Sequence, residues 1–566
     1  MHETKPRVIL RRYRSIMMAS MLVEIVTFVI SLTDSVIAGQ RIGMDALSSI
    51  GLMSPYASIT TFVAAVINAG TMKNYSVEIG KFNKERATAF FSQGLILALG
   101  SGMILLLASI AAKPLFMAQM PTGKMAQYLS DYYNIIIIFY GVFPLCCLLD
   151  NAVIMDGGER YSAVLNVAQI IGNVALSYYL SGRLGIKGIA IATVACQMVF
   201  VALISIWFFR KKSAIKFKIH FTKADLLTII KCGASRASTF AFTALMLFVL
   251  NHYILHHFDS KVFCAWVVDQ KVIGLSSMFL GIAMTLQPLV GTLYGEKNTK
   301  AIRILINRAR LDIIIIGIIC TLLILCFTSA ALRAFGIEPS AFYVGIPALR
   351  ITCLTLALTA MLTLYYIYYF LIGYNLLVVA ISFIKDFAAP VAMVVLCAAV
   401  WGNTPETIWS GLAVAPIVAC IITGVIILLR YGKEKFPLLV SKKQDEKIHI
   451  YAFKLGSETV SEMSQTVGEL LKKEGFASRV QTLAGACIED LLCLIMEKNA
   501  PLKKPLLVEC TLIIQEGGVR VIMRDEGKTF VLTDDDAKVD SLLQYIVANL
   551  LNTAQNKAYV TTTGYN

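Results

Sequence analysis

Between Arg14 and Arg430 the chain gathers its hydrophobicity into about a dozen runs of roughly 20 residues each, and the loops between them alternate between basic and nearly uncharged. A run of ~20 apolar residues crosses the ~30 Å hydrocarbon core of a bilayer as a helix, because a helix satisfies its own backbone hydrogen bonds where no water can. The chain therefore reads as a polytopic membrane protein with lipid as its solvent. Its work is movement of something across or within a membrane, and a soluble-enzyme reading of this part is excluded.

Composition agrees, with 57% hydrophobic and only 15% charged residues, far from the soluble average. The net charge of +15 is positional rather than a nucleic-acid signal. Lys and Arg crowd the N-terminus (Lys5, Arg7, Arg11, Arg12, Arg14) and segments 73–86, 210–223, 297–310 and 430–447. The alternate loops 40–45, 181–187 and 401–407 carry few positive charges. The positive-inside rule then places both termini in the cytoplasm and requires an even number of spans, ~12 by this reading. The thirteen cysteines are scattered, mostly in apolar runs, and the adjacent Cys146 and Cys147 form no metal motif; they read as small hydrophobes in a reducing setting. No cleavable signal peptide is expected, since residues 1–14 are polar and the first apolar run is too long.

The predicted spans are 15–38, 47–70, 88–113, 132–154, 162–181 and 186–209, then 226–254, 262–292, 311–332, 344–372, 374–400 and 408–429. A basic linker with Lys211, Lys212, Lys216 and Lys218 divides the two sets. The eighth run is over-long, which predicts a kink or an interfacial end. Gly80-Lys81-Phe82-Asn83 follows the second span, and Gly295-Glu296-Lys297-Asn298 follows the eighth. Repeats in corresponding positions are how many secondary transporters are built, with the substrate site between the halves. The expected domains are 1–212 (first six helices), 213–430 (second six), a linker at 431–444 and a cytoplasmic domain at 445–566. In that last part Ile448, Leu506 and Val519 open predicted strands, and segments 458–473 and 477–497 read as helices.

A charge at mid-bilayer costs roughly 2.5–3.5 kcal/mol on insertion scales, so each ionisable residue inside a span is a functional candidate. Glu24 and Asp34 share the first span but lie about 15 Å apart along its axis, too far to act as a carboxylate pair. Asp269 and Lys271 fall in the eighth span, Lys385 and Asp386 in the eleventh. A buried carboxyl can exchange a proton or hold Na⁺ with neighbouring hydroxyls and amides. The competing reading is that the acid–lysine neighbours neutralise one another or lie near the interface. Asn68, Asn151, Asn166 and Asn173 add polar atoms to the first half. Phe28, Tyr56, Phe62, Tyr140, Phe143, Tyr365, Tyr366, Tyr368 and Tyr369 suit an amphipathic cationic solute, or else helix packing and the interfacial belt.

Several stretches resemble the multidrug and toxic compound extrusion (MATE) transporters. They are Asp34 with Ala38-Gly39, Gly43, Ala46-Leu47 and Pro55; Asp156-Gly157-Gly158-Glu159-Arg160, Asn173, Gly185, Gly188 and Ala190-Ile191-Ala192-Thr193; and Gln287-Pro288-Leu289-Val290-Gly291 leading to Tyr294-Gly295-Glu296-Lys297-Asn298. The resemblance implies an all-α polytopic fold of ~12 helices in two six-helix lobes, and alternating access driven by Na⁺ or H⁺ antiport. It assigns Asp34 and Asn173 to the cation site of the first lobe, with Ser177 where many members carry an aspartate. Glu24, Asp269 and Asp386, with Lys271 and Lys385, are the further candidates for coupling or transport.

The C-terminal domain resembles the GHKL ATPase fold of histidine kinases, an α/β sandwich. Glu489-Asp490 is similar to its N-box acid and Asp525-Glu526-Gly527-Lys528-Thr529-Phe530 to its Asp-x-Gly loop, with Leu494 where that fold places a Mg²⁺-binding asparagine. The resemblance implies ATP with Mg²⁺ at Glu489, Asp490, Asp525 and Gly527. Catalysis by the tail is not expected.

The leading expectation is a multi-pass transporter of a bacterial cytoplasmic membrane, exporting amphipathic or cationic organic solutes, with a regulatory tail open to a cytoplasmic partner and no role for nucleic acid. Two alternatives stand beside it: a lipid-linked oligosaccharide flippase using Lys271, Lys385 and Arg236 for a phosphate, and a membrane sensor signalling through the tail.

Overall fold

The computed structural model describes residues 2–80, 84–118, 123–156, 158–210, 222–440, 442–499, 506–515 and 518–527. Residues 81–83, Gly157, the linker lysines 211, 212, 216 and 218, Gly517, 528–530 and 563–566 lie outside them. Nineteen α-helices run in chain order among the described residues. The first half has α1 (Arg7–Arg41), α2 (Met44–Leu52), α3 (Ser54–Gly80), α4 (Lys84–Ala118), α5 (Lys124–Met155), α6 (Glu159–Leu184) and α7 (Ile186–Ser205). The second has α8 (Lys223–His257), α9 (Ser260–Ile273), α10 (Ser277–Gly295), α11 (Thr299–Ala334), α12 (Phe342–Cys353), α13 (Leu356–Leu371), α14 (Asn375–Phe383), α15 (Ala389–Trp401) and α16 (Pro405–Tyr431). The tail adds α17 (Lys442–Asp445), β1 (Ile448–Lys454), α18 (Ser457–Lys473), α19 (Ser478–Asn499), β2 (Leu507–Gln515) and β3 (Gly518–Asp525).

The chain forms two compact units. One holds Met17–Gly291 and Arg308–Gly432; the other holds Met1–Ile16, Thr292–Asn307 and Lys433–Asn566. In the first, ten helical stretches among the described residues are long and apolar enough to cross a membrane, or eleven when Pro339–Cys353 and Leu356–Leu371, bent by 46°, count as one span. α1 has 35 residues, about 52 Å at 1.5 Å per residue, so its length also suffices.

The breaks in these helices have local causes. The over-long eighth run, for which a kink or an interfacial end is expected, is interrupted by the 3₁₀ turn Gly274–Ser276 between α9 and α10. In the eleventh, the turn Ile384–Ala388 between α14 and α15 is a π-helix. Pro390 lacks an N–H, and its ring would press on the carbonyl of Asp386 in a regular helix, so the wider turn relieves the clash.

The two halves meet reciprocally. α3 lies so close to α8 that a methyl on Gly233 would stand 1.8 Å from the Val66 carbonyl oxygen. α1 lies against α10, where a methyl on Gly281 would stand 2.8 Å from the Met21 nitrogen. The second span of the first half thus packs on the first of the second half, and the first on the second, the pairing that duplicated halves produce. Small residues permit this because lipid offers helices no hydrophobic drive to associate, and close backbone approach supplies the attraction instead.

In the other unit β1, β2 and β3 form an antiparallel sheet with β2 central; Tyr451 stands opposite Cys510, and Cys510 opposite Met523. Val460, Met463, Val467 and Leu471 recur at helical spacing along α18, and with Ile488, Leu492 and Ile495 of α19 they cover the sheet face that carries Val508, Cys510 and Leu512. Strand and helix positions follow the sequence expectation. What the described residues show is this two-layer arrangement of three strands and two helices, which is not by itself a GHKL domain. β2 is buried on both faces, and Glu509 and Thr511 on the second face are fully covered.

Candidate functional site

The richest polar cluster inside the helical unit surrounds Asp34. This residue follows Thr33 in an otherwise apolar stretch of α1, and only 8% of it is exposed. Thr193 on α7 donates its hydroxyl to the carboxylate, at 2.9 Å from Oδ2 and 3.1 Å from Oδ1. Tyr132 on α5 donates to Oδ2 at 3.3 Å. Asn173 on α6 donates Nδ2 to the Thr193 oxygen at 3.0 Å. Thr193 therefore accepts from one helix and donates to another, which joins α1, α6 and α7 through one hydroxyl.

Among the described residues the direct donors to Asp34 are neutral. The Asn173 Oδ1 and, one turn further along α6, the Ser177 Oγ are buried without a hydrogen-bond partner among the described residues. The set of a carboxylate, an amide oxygen and two hydroxyls is the donor chemistry of a hard cation such as Na⁺. The same carboxyl can instead take a proton. The residues present fit either ion.

The other acids of the spans are held differently. Lys385 Nζ lies 2.6 Å from Asp386 Oδ1, with the two side chains 8% and 14% exposed. Thr239 donates to Asp386 Oδ2 at 2.5 Å and Ser382 donates to it at 3.3 Å, so this pair is neutralised internally, on the π-helical turn. Asp269 and Lys271, two positions apart on α9, do not pair with each other; positions i and i+2 do not face each other on a helix. Asp269 is fully buried and accepts from Thr352 at 2.6 Å. Lys271 makes no ion pair among the described residues, and its charge and that of Asp34 act on one another. Glu24 stands in the same relation to Arg236, whose Nη1 is buried without a partner. The structure thus joins Asp34 and Asn173 through Thr193, with Ser177 one turn further along α6 and the charge of Lys271 acting on Asp34, and holds Glu24, Asp269 and the Lys385–Asp386 pair by other partners.

Thr193 and Tyr132 were not singled out as site residues. Tyr132 looked like one of many span tyrosines, and Thr193 closed a small-residue motif. The available signal was a hydroxyl within the apolar stretch 188–196 of the sixth predicted span. Among the aromatic candidates, Tyr56 packs edge-on against Tyr140 at 5.0 Å, while Tyr368 and Tyr369 are fully buried packing residues.

In the tail, Asp525 is 2% exposed and its Oδ1 accepts from the backbone of Gly527 at 2.7 Å, a closed Asx turn. That turn packs on Asn499, where a methyl on Gly527 would meet Oδ1 at 2.2 Å. Glu489 is exposed and Asp490 half-buried on α19, about 14 Å along the helix axis from Asn499.

With this geometry in hand the comparisons are direct. Residues 19–179, from α1 into α6, match the MatE family model. No curated protein matches the sequence. An inward-facing multidrug resistance MATE family transporter of the MOP superfamily superposes with a TM-score of 0.64 at 18% identity, covering 71% of this chain and 94% of its own. An outward-facing one gives 0.64 at 18%, covering 76% and 98%. A MOP superfamily transporter from Pyrococcus furiosus, described as having a binding pocket of reverse polarity, gives 0.66 at 18%, covering 76% and 96%. At that identity the likeness establishes the fold. The chain has the fold of these MATE transporters, with helices among the described residues that are long and apolar enough to cross a membrane.

Proposed function

We propose that the protein is a secondary active transporter that exports amphipathic, cationic organic solutes across a bacterial cytoplasmic membrane in exchange for Na⁺ or H⁺, with both termini in the cytoplasm and Asp34 as the coupling carboxyl. One observation carries this reading: among the described residues the hydrogen-bond donors to buried Asp34 are the neutral hydroxyls of Thr193 and Tyr132, and Asn173, bonded to the same Thr193 oxygen, keeps a buried Oδ1 without a hydrogen-bond partner. Lys271 acts on Asp34 by its charge without pairing with it, and cation binding at the carboxylate changes the charge held there, which biases how the helices meeting at Thr193 pack. One charge moving through 100 mV is worth ~2.3 kcal/mol, enough for roughly fifty-fold accumulation. Efflux of a fluorescent cation from proteoliposomes under imposed Na⁺ or H⁺ gradients tests the reading. Gradient-driven efflux supports it, and no efflux under either gradient contradicts it.

The tail is proposed as a GHKL-like regulatory domain, on its strand and helix order and its Asp-x-Gly turn. Binding of ATP with Mg²⁺ to the full chain, measured by titration, tests the nucleotide part.

A second reading, transport of an anionic lipid, is favoured by Arg236, whose buried Nη1 has no hydrogen-bond partner, and by Lys271, which lacks an ion pair among the described residues. It predicts acceleration of lipid-phosphate flipping with no protection against cationic dyes.

A further inference from the structure

The smaller unit gathers three pieces of chain that are far apart in sequence: the N-terminal end of α1, the junction of α10 with α11, and the tail. α1 belongs to the first half of the helical unit, and α10 and α11 to the second. The joints between the three pieces run from the fully buried Glu509 to partly exposed ion pairs such as Lys300–Glu3.

The N-terminal segment lies along the open edge of β1. The Thr4 backbone donates to the Ile450 carbonyl at 2.8 Å, and Ala452 donates its backbone N–H to Thr4 Oγ1 at 2.7 Å. One backbone bond and one bond to a side chain thus tie the segment to the sheet edge. The first turn of α1 then ends on the sheet face. The first four N–H groups of any helix lack partners within it and favour a negative charge. Glu509 of β2 supplies that charge: its Oε2 accepts from Val8 at 3.1 Å and from Ile9 at 3.5 Å, and the side chain is fully buried.

Arg524 of β3 lies 3.6 Å from the other Glu509 oxygen and pairs with Glu296 of the α10–α11 junction, while Arg520 donates to the Glu296 carbonyl at 3.3 Å. The start of α11 completes the joint. Lys300 reaches both Glu3, at 2.5 Å, and the Ile448 carbonyl, at 3.0 Å; Arg303 pairs with Asp445 at 2.6 Å. Lys300 thus touches the N-terminal segment and the tail together.

We infer that the tail domain is a latch that fastens the N-terminal end of α1 to the start of α11, tying one end of the first half to one end of the second and restraining the transport cycle. Alternating access in duplicated transporters is a rocking of one half against the other about the site between them. A joint holding an end of each half opposes that motion and has to loosen in each turnover. The contacts stand on their own; only their effect on transport rests on the function proposed above.

The test uses the full chain in lipid nanodiscs and in proteoliposomes. Amide hydrogen exchange at Val8 and Ile9 and across 297–303 reports the two sides of the latch. In Arg524→Met both sets should exchange at least tenfold faster than in wild type, and gradient-driven efflux should run at least threefold faster. Because Arg524 is buried, Glu3→Lys, at an exposed position, serves as the second variant: it should speed exchange at both sets to a smaller degree, and Lys300→Glu should restore protection. Faster exchange at one set only, or unprotected amides in wild type, overturns the latch. Faster exchange at both with unchanged or slower efflux overturns the restraint on transport while wild-type efflux still stands. Wild type that moves no cation overturns the efflux reading, and the exchange data then decide the latch alone.

Discussion

Asp34 and Asp386 are both carboxyls in the interior of the helical unit, one in each half, and their surroundings are opposite. Asp386 carries its own counter-ion, Lys385, at 2.6 Å, with hydroxyls from Thr239 and Ser382 satisfying what remains. Asp34 receives only the hydroxyls of Thr193 and Tyr132. A neutralised pair has little to gain from an external cation, whereas a carboxyl surrounded by neutral donors has much to gain from one. Burial alone therefore does not mark a coupling site; a directly paired cation argues against one, and Asp34, like Asp269, has none among the described residues.

The contrast makes graded predictions. The largest effect belongs to the closed pair. Asp386→Asn strands Lys385 in a buried setting and should lower stability by about 3–5 kcal/mol, while Lys385→Met with Asp386→Leu, which removes both charges, should be close to neutral. Thermal unfolding in detergent separates the two outcomes. A double variant as damaged as the single one would mean that the pair does more than neutralise itself.

Next in size is Thr193→Val, which removes the hydroxyl that serves Asp34. Loss of a hydrogen bond to a charged group is worth about 1.5–3 kcal/mol, so a coupled proton should bind roughly tenfold to a hundredfold more tightly, whereas Na⁺, which loses a hydroxyl ligand, should bind more weakly. The ion concentration giving half-maximal efflux measures this. An unchanged value would remove Thr193 from the site.

Gly233→Ala tests how the halves meet rather than what they bind. The added methyl would overlap the Val66 carbonyl, and overpacking of this kind costs about 1–3 kcal/mol. A fall in unfolding temperature without a shift in ion dependence is expected.

The smallest effect concerns pH, in the tail. Burial raises the Glu509 carboxyl from its ordinary value of 4.5 to about 7; Arg524 and the Val8 and Ile9 amides act in the opposite direction, and Glu296 adds to the rise. A carboxyl raised in the folded state favours that state most when protonated, so its contribution is fully present below about 4.5 and is lost as pH climbs from there to about 7. Protection of the Val8 and Ile9 amides, corrected for the intrinsic rate, should fall from about pH 4.5 to about 7, level off above it, and be flat in Glu509→Gln.

Helix placement was largely legible, because ~20-residue apolar runs leave few alternatives in lipid. The break in the eighth run was legible from its length, whereas the π-helical turn was not, since it follows from one proline acting on the preceding turn. Asp34 and Asn173 could be read from charge cost and family likeness. Thr193 and Tyr132 could not, since a span hydroxyl usually bonds to its own helix and only the fold brings these two to Asp34. Glu509 left a trace, a lone acid between Val508 and Cys510 in an apolar strand. Its partner, the first turn of α1, lies at the opposite end of the chain, beyond the reach of any local pattern.

The most direct measurement is cation-driven efflux from proteoliposomes by Asp34→Asn beside the Lys385→Met, Asp386→Leu double variant, at matched reconstitution. Coupling through Asp34 predicts that the first loses gradient-driven efflux and that the second keeps it with unchanged ion dependence. Efflux that survives in the first and disappears in the second would place coupling in the other half of the molecule.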